Sequence, residues 1–319
     1  MFKSLLVPLD GSEFSERSLP LVRGIARATG ASLHFAHVHV SHPPDALLSN
    51  PQFHFEGLDM AEYDDRHREE EKEYLTSVVE SLDQRDSSAD CVLLEGSVAD
   101  ELAAYARQVG AEAIFMTTHG HTGMRRLWLG SVADSLMRHT HLPLLVIHPG
   151  EHGHVPADVR TFEHGLVPLD GSDLSEAILG PACDLAEATG AGLTLTHVVS
   201  SRAVGGSGLF SPSAEHVGPA LDKAEDYLAR VAEPLRAKGL RVRTYALAAD
   251  RPAPAIGRVA QRLGADVIAI ATHGYGGLKR ALLGSVAEEV LRRSPVPLLI
   301  QRPIVGQAEG APYRPTPAN

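Results

Sequence analysis

Two stretches of this sequence combine glycines, hydroxyls and cations in a spacing suited to an anionic ligand. Residues 117–132 read TTHGHTGMRRLWLGSV and residues 271–286 read ATHGYGGLKRALLGSV. Each follows a strand-like apolar run and leads into a helix-like one. Glycine lets the backbone approach a ligand closely, and the first N–H groups of the following helix have no intrahelical partner and attract phosphate. Ser131 and Ser285 add hydroxyl donors, and Arg125 and Arg126 add nearby positive charge. The pattern is neither a Walker P-loop nor the dinucleotide fingerprint: it contains no Gly-Lys-Ser/Thr, so no lysine is placed to assist phosphoryl transfer. One such loop can be a mere strand-to-helix connection. Two of them, each paired with an Asp-Gly-Ser turn (Asp10 to Ser12, Asp170 to Ser172), favour a ligand site.

The elements that must position these loops are also duplicated. Leu6 to Ser12 recurs letter for letter as Leu166 to Ser172, Ala28 to Ala31 recurs as Ala188 to Ala191, and His37-Val38 recurs as His197-Val198. The offset is 160 up to this point and 154 at the loops, so the second copy is shorter after its second strand. A repeat this long is a duplicated domain rather than a solenoid unit. The expected boundaries are 1–149, a Gly- and His-containing linker at 150–161, a second domain at 162–303 and a disordered Pro-rich tail at 304–319.

The length of 319 residues suits two such domains. In the first copy, Ser4–Leu9 reads as a strand buried on both faces. Ser15 reads as a helix N-cap with Glu16 in the first turn, Leu19, Val22 and Ala26 form an apolar stripe, and Gly30 closes the helix. Ser32–Val40 is a second strand, and Tyr74, Leu75, Val78, Val79 and Leu82 line one helix face. The matching face of the second copy is Leu221, Ala224, Leu228, Val231 and Leu235. Cys91–Leu94 and Ala113–Thr117 are further strands with the helix Ala99–Val109 between them, and a helix from Ser131 precedes a fifth strand, Leu144–Ile147. Alternating strands and helices imply right-handed βαβ units and a parallel sheet, with ligands beyond the carboxyl ends of the strands.

On these residues both halves resemble the universal stress protein domain, and nearly all of 1–149 and 162–303 takes part. The strand-one Pro-x-Asp, the His-Val near the end of strand two and the Gly-x9-Gly-Ser loop appear twice in the same order. The resemblance implies an α/β fold of two tandem Rossmann-like (adenine nucleotide alpha hydrolase-like) domains, each a five-stranded parallel sheet flanked by helices. It also implies ATP binding, with Mg2+ bridging the phosphates, in a stress-response sensor or adaptor. The implied contacts in the first half are Pro8, Asp10, Val38, Met116, Thr117, Gly120, Gly130, Ser131 and Val132. In the second they are Pro168, Asp170, Val198, Ile270, Ala271, Gly274, Gly284, Ser285 and Val286. The sequence departs from the family's Gly-x2-Gly-x9-Gly-Ser/Thr at its first glycine, where Thr117 and Ala271 stand. The added bulk weakens binding in expectation, less so at Ala271. A nucleotide-free interaction scaffold and a slow ATPase switch are the alternative readings; no nucleophile–base pairing is recognisable, and the chain is read as a non-enzyme.

A net charge of -11 argues against nucleic acid or an anionic membrane as partner. No apolar run approaches the length of a membrane span, and two cysteines in different halves, Cys91 and Cys183, suit a reducing cytoplasm, each as a small buried hydrophobe. His37 with His39, and His119 with His121, invite a metal reading. The second copy replaces one of each pair by Val199 and Tyr275, so no metal ligand common to both halves is assigned and these histidines are read as satisfied or surface residues. The charge-dense run Glu62–Glu73 reads as the solvated face of a helix, and Trp128 as a packing residue. The fifth strands, Leu144–Ile147 and Leu298–Gln301, are apolar segments at sheet edges, which are normally covered or paired, and the resemblance implies that they associate between domains. The expectation is an internal pseudo-dimer of the two halves, with homodimerisation of the chain and an unidentified protein partner beyond it.

Overall fold

The computed structural model describes residues 2–41, 60–82, 88–117, 130–147, 161–201, 214–272 and 284–303. The first copy runs β1 (Ser4–Pro8), α1 (Glu13–Glu16), α2 (Leu19–Thr29), β2 (Ser32–His39), α3 (Met60–Glu80), β3 (Ala89–Glu95), α4 (Val98–Gln108), β4 (Ala113–Thr117), α5 (Ser131–His139) and β5 (Leu144–Ile147). The second runs β6 (His164–Pro168), α6 (Asp173–Glu176), α7 (Leu179–Thr189), β7 (Gly192–Ser200), α8 (Ala214–Ala237), β8 (Val242–Ala249), α9 (Pro252–Leu263), β9 (Val267–Ala271), α10 (Ser285–Arg293) and β10 (Leu298–Gln301). The expected linker, apart from Phe162's neighbour Thr161, and the C-terminal tail lie outside the described residues, as do Gly120, Gly274, the paired His119 and His121, and Trp128.

All ten strands belong to one sheet, in the order β3-β2-β1-β4-β5-β10-β9-β6-β7-β8. Pairing is parallel within each half and antiparallel at the centre, where β5 meets β10 with Leu145 opposite Leu299. The two apolar edges thus close on each other, leaving β3 and β8 outermost. Strand direction and order put an approximate two-fold axis through the Leu145–Leu299 pair.

Alternation along the strands divides the core between the two faces of the sheet. Leu5 and Val7 of β1 and Leu145 and Ile147 of β5 pack with α2, α3 and their second-copy counterparts, whereas Leu6, Leu144 and Val146 pack with α4, α5, α9 and α10. Both layers contain residues of both halves, so each core runs across the central seam.

The helix after β1 departs from expectation. Ser12, not Ser15, is the N-cap: it is extended (φ -89°, ψ 149°) and its Oγ accepts the Ser15 N–H. The helix then breaks into α1 and α2 after Glu16, with Pro20 in the first turn of α2, and the second copy breaks at the same place after Glu176 with Gly180 at the matching position. Leu19, Val22 and Ala26 are buried, and Gly30 ends α2 at φ 70°, a left-handed conformation that favours glycine.

Candidate functional site

In each half the chain passes outward from β1 to β2 and β3, then crosses back to place β4 on the other side of β1; β6 and β9 repeat this. The strand order therefore reverses between β1 and β4, and between β6 and β9. A crevice forms where the adjoining loops diverge beyond the carboxyl ends of such strands.

The Asp-Gly-Ser turn after the first strand has the same wiring in both halves. Asp10 Oδ1 accepts the Ser12 N–H at 3.0 Å and the Ser12 hydroxyl at 2.5 Å. Asp170 Oδ1 accepts the corresponding groups of Ser172 at 3.0 and 2.5 Å. Ser15 and Ser175 lock the turn, each donating its hydroxyl to the carbonyl of the cap serine at 2.8 Å and accepting the aspartate N–H. Gly11 and Gly171 take φ 76° and 83°, which a side chain would strain. The aspartate is thus held rigidly at the strand end.

In the second half a cleft of about 190 Å³ opens at this point. It gathers Pro168 at the end of β6, Asp170, Val198 on β7, Ile270 and Ala271 closing β9, and Gly284, Ser285 and Val286 at the start of α10. Gly284 is the N-cap of α10 and makes no side-chain capping bond. Its carbonyl accepts the Glu288 N–H at 2.9 Å, the first bond of the helix, which leaves the N–H groups of Ser285 and Val286 without an intrahelical acceptor. The loop between Thr272 and Gly284 is pinned at its ends, since the Gly284 N–H donates to the Thr272 carbonyl and the Thr272 N–H donates to Gln301. Apolar walls and uncapped amides suit a ligand with a flat apolar part and an anionic part.

Ser175, Pro252 and Ile256 also line the cleft, and sequence reasoning missed them. The repeated Ser-x-x-Ser after the aspartate was a signal for Ser175. Pro252 and Ile256, one helical turn apart on α9, carry no chemical signal of their own.

The first half places its counterparts alike. Pro8 ends β1, Val38 and Met116 are buried on β2 and β4, Thr117 is half-buried at the end of β4, and Gly130 caps α5 without a side-chain bond. The Asp134 N–H donates to Gly130 at 3.0 Å, so the amides of Ser131 and Val132 have no intrahelical acceptor either.

Other sequence readings need revision. The run Glu62–Glu73 lies on α3, but it is not wholly a solvated face: Glu71 and Asp64 turn inward onto His37 and His39 of β2. Burial raises the Glu71 carboxyl, but hydrogen bonds from His39 and the charges of His37 and His39 outweigh it and hold the group below the usual carboxylate range. In the second half, burial holds the His197 imidazole below its ordinary value against the opposing pull of Asp170. Cys183 is buried, which pushes its thiol up to about 12, whereas Cys91 is only half-buried.

An open, duplicated parallel α/β sheet with a cleft at a switch point defines the Rossmann-like class of α/β domain. Within that class, the model of the universal stress protein family matches residues 1–148 and again 161–302. The chain belongs to that family and carries two of its domains in tandem. A universal stress protein of Mycobacterium tuberculosis is 30% identical over 200 residues, covering 60% of this chain and 62% of the relative. The chain thus spans about three fifths of that relative's length. A Methanocaldococcus jannaschii universal stress protein is 27% identical over 147 residues, covering 46% of this chain and 82% of its own. A solved universal stress protein of Archaeoglobus fulgidus has the same fold, with a TM-score of 0.65 and 22% identity over 94% of this chain and 96% of that one. Among the described residues, no helix is long and apolar enough to cross a membrane.

Proposed function

We propose that this chain binds adenine nucleotide, ATP in the first instance, and acts through the bound or empty state as a stress-response sensor or adaptor rather than as an efficient enzyme. The observation that carries the reading is the second-half cleft, which unites the eight described residues of the nine expected there, Gly274 lying outside the described residues. Val198 and Ile270 provide apolar walls for a base, Asp170 stands beside the adenosine, and the amides of Ser285 and Val286 meet the phosphates. Pro8, Asp10, Val38, Met116, Thr117, Gly120, Gly130, Ser131 and Val132 form the corresponding set in the first half. Mg2+ would enter with the phosphates, which need few protein ligands to hold it. The unpaired thiols of Cys91 and Cys183 suit a reducing cytoplasm. Dimerisation of two chains and recruitment of a protein partner complete the reading.

Calorimetric titration of nucleotide-stripped protein with Mg-ATP tests it, alongside Gly130→Val and Gly284→Val. The expected result is two sites, one lost in each variant, since a branched side chain at the N-cap blocks approach to the amides. No heat in the stripped protein and no nucleotide co-purifying with the unstripped protein would overturn the reading and leave a nucleotide-free scaffold.

A further inference from the structure

The inward-turned residues of α3 form a cluster separate from the nucleotide cleft, and its hydrogen-bond chemistry is unusual. Three imidazoles converge on one carboxylate. Glu71 Oε1 lies 3.1 Å from His37 Nε2 and 3.2 Å from His67 Nδ1, and Glu71 Oε2 lies 2.7 Å from His39 Nδ1. The other nitrogen of His39 meets Asp64 Oδ1 at 3.0 Å. Asp64 in turn is held by Arg68 at 2.7 Å. His39 is 1% exposed, so solvent does not stand in for any of these partners.

Donors and acceptors can be counted. The Leu9 carbonyl, 2.8 Å from His37 Nδ1, can only accept, so Nδ1 carries the proton. His37 Nε2 then faces Glu71 as a lone pair unless the ring gains a second proton. His39 has a carboxylate at both nitrogens and likewise needs two protons. A proton-filled cluster therefore needs two protons beyond those of neutral rings and ionised carboxylates, one for each imidazole–carboxylate contact left without a donor. One divalent cation replaces the two added protons at the same total charge.

We infer that this cluster is a binding site for a zinc-class divalent cation, with His39, His67 and Glu71 as ligands. One atom from each of these three side chains lies within 4.8 Å of the others. A tetrahedral zinc site needs ligand atoms about 3.3 Å apart, from metal–ligand bonds of about 2.0–2.1 Å, so a modest contraction closes it. His37 Nε2 lies 3.1 Å from Glu71 Oε1, beside this set rather than within it. Imidazole and carboxylate ligands favour zinc over magnesium or calcium, which prefer all-oxygen sets. His39 also has the second contact expected of a metal-bound imidazole, its far nitrogen donating to the Asp64 carboxylate.

The second half isolates what is special here. Tyr74 approaches Glu16 and Tyr227 approaches Glu176, which aligns α3 with α8 at an offset of 153. By this alignment Val217, Ala220 and Ala224 replace Asp64, His67 and Glu71, and Val199 replaces His39 on the strand. Ala224 and Val199 are buried there. One copy fills the space between strand and helix with apolar side chains, and the other fills it with a nearly complete ligand set. The ion would tie α3 to the end of β2, next to Val38 of the first cleft.

The full chain, stripped with EDTA and desalted, should take up Zn2+ at one tight equivalent per chain in a competition titration against a chromophoric chelator. Co2+ should give the visible absorption of a four- or five-coordinate site. His67→Ala and Glu71→Gln should each lose the tight equivalent, and Asp64→Asn should weaken it roughly 10–100-fold, as for removal of an outer partner. His67 is 40% exposed, so His67→Ala should fold normally, which circular dichroism checks. Absence of a tight equivalent in the unaltered chain overturns the inference and leaves a proton-filled network. Retention of that equivalent by either His67→Ala or Glu71→Gln overturns the ligand set. None of these readouts depends on nucleotide.

Discussion

The two halves are most alike at the turn after the first strand and least alike between the second strand and the long helix. Asp10 and Asp170 make the same bonds to their cap serines at the same distances. A few residues away along the sheet, His39, Asp64, His67 and Glu71 stand where the other copy has Val199, Val217, Ala220 and Ala224. What both copies keep is what the crevice demands: a rigid aspartate and an uncapped helix N-terminus. What differs lies behind the crevice, where one copy packs Val199 and Ala224 beside a His197 whose Nδ1 is buried without a hydrogen-bond partner among the described residues, and the other holds a polar cluster.

The largest effect should come at the seam the halves share. Leu299 is fully buried opposite Leu145. Leu299→Asp would bury a charge with no partner, destabilising the protein by roughly 4 kcal/mol. Urea denaturation gives the loss, and hydrogen exchange shows where it falls. Both halves should lose protection, since both core layers cross the seam. Loss confined to the second half would show that the copies are independently stable.

A smaller effect tests the polar cluster against its apolar counterpart, with metal removed by EDTA. Glu71→Ala alone leaves His37 and His39 facing a gap and should cost about 1–3 kcal/mol. The combined change His39→Val, Asp64→Val, His67→Ala and Glu71→Ala installs the second copy's residues. It should come within ~1 kcal/mol of the unaltered protein or exceed it, as replacement of buried charged groups by packed apolar ones often does. A combined variant less stable than Glu71→Ala would mean that the two sites are not equivalent in shape.

The smallest effect concerns the crevices. Thr117→Gly and Ala271→Gly restore the first glycine of the loop pattern. Nucleotide affinity should rise about 3–10-fold for Thr117→Gly, the energy of about 0.7–1.4 kcal/mol, and less for Ala271→Gly, where only a methyl group is removed. Calorimetry in each single variant reads both. Equal gains would show that side-chain bulk at this position does not set the difference between the sites.

Much of this was legible in the chain itself. The duplication, the parallel strands and the loop ends follow from local patterns: apolar runs for buried strands, Asp-Gly-Ser for a turn, Gly-Ser before a helix for open amides; the set of cleft residues from Pro168 to Val286 came from the resemblance of these motifs to a known family. Such signals survive because they report hydrogen bonding within a few residues. The split of α1 from α2 was missed even so, since the apolar stripe through Leu19 and Val22 runs on as if one helix continued. The inward turn of Asp64 and Glu71 was not legible. Six consecutive charged residues, Arg68 to Glu73, suggest a solvated face, and only the packing of α3 across β2 decides that Glu71 points at histidines 32 and 34 positions away. The sequence by itself determined the duplication and the alternation of strands and helices in each copy. Tertiary structure decided that β5 and β10 pair antiparallel into a single ten-stranded sheet, and that three histidines and two carboxylates meet on one side of it. The physical reason is the same in both cases: strand pairing and side-chain convergence depend on the register between distant segments, and no local spacing encodes that register.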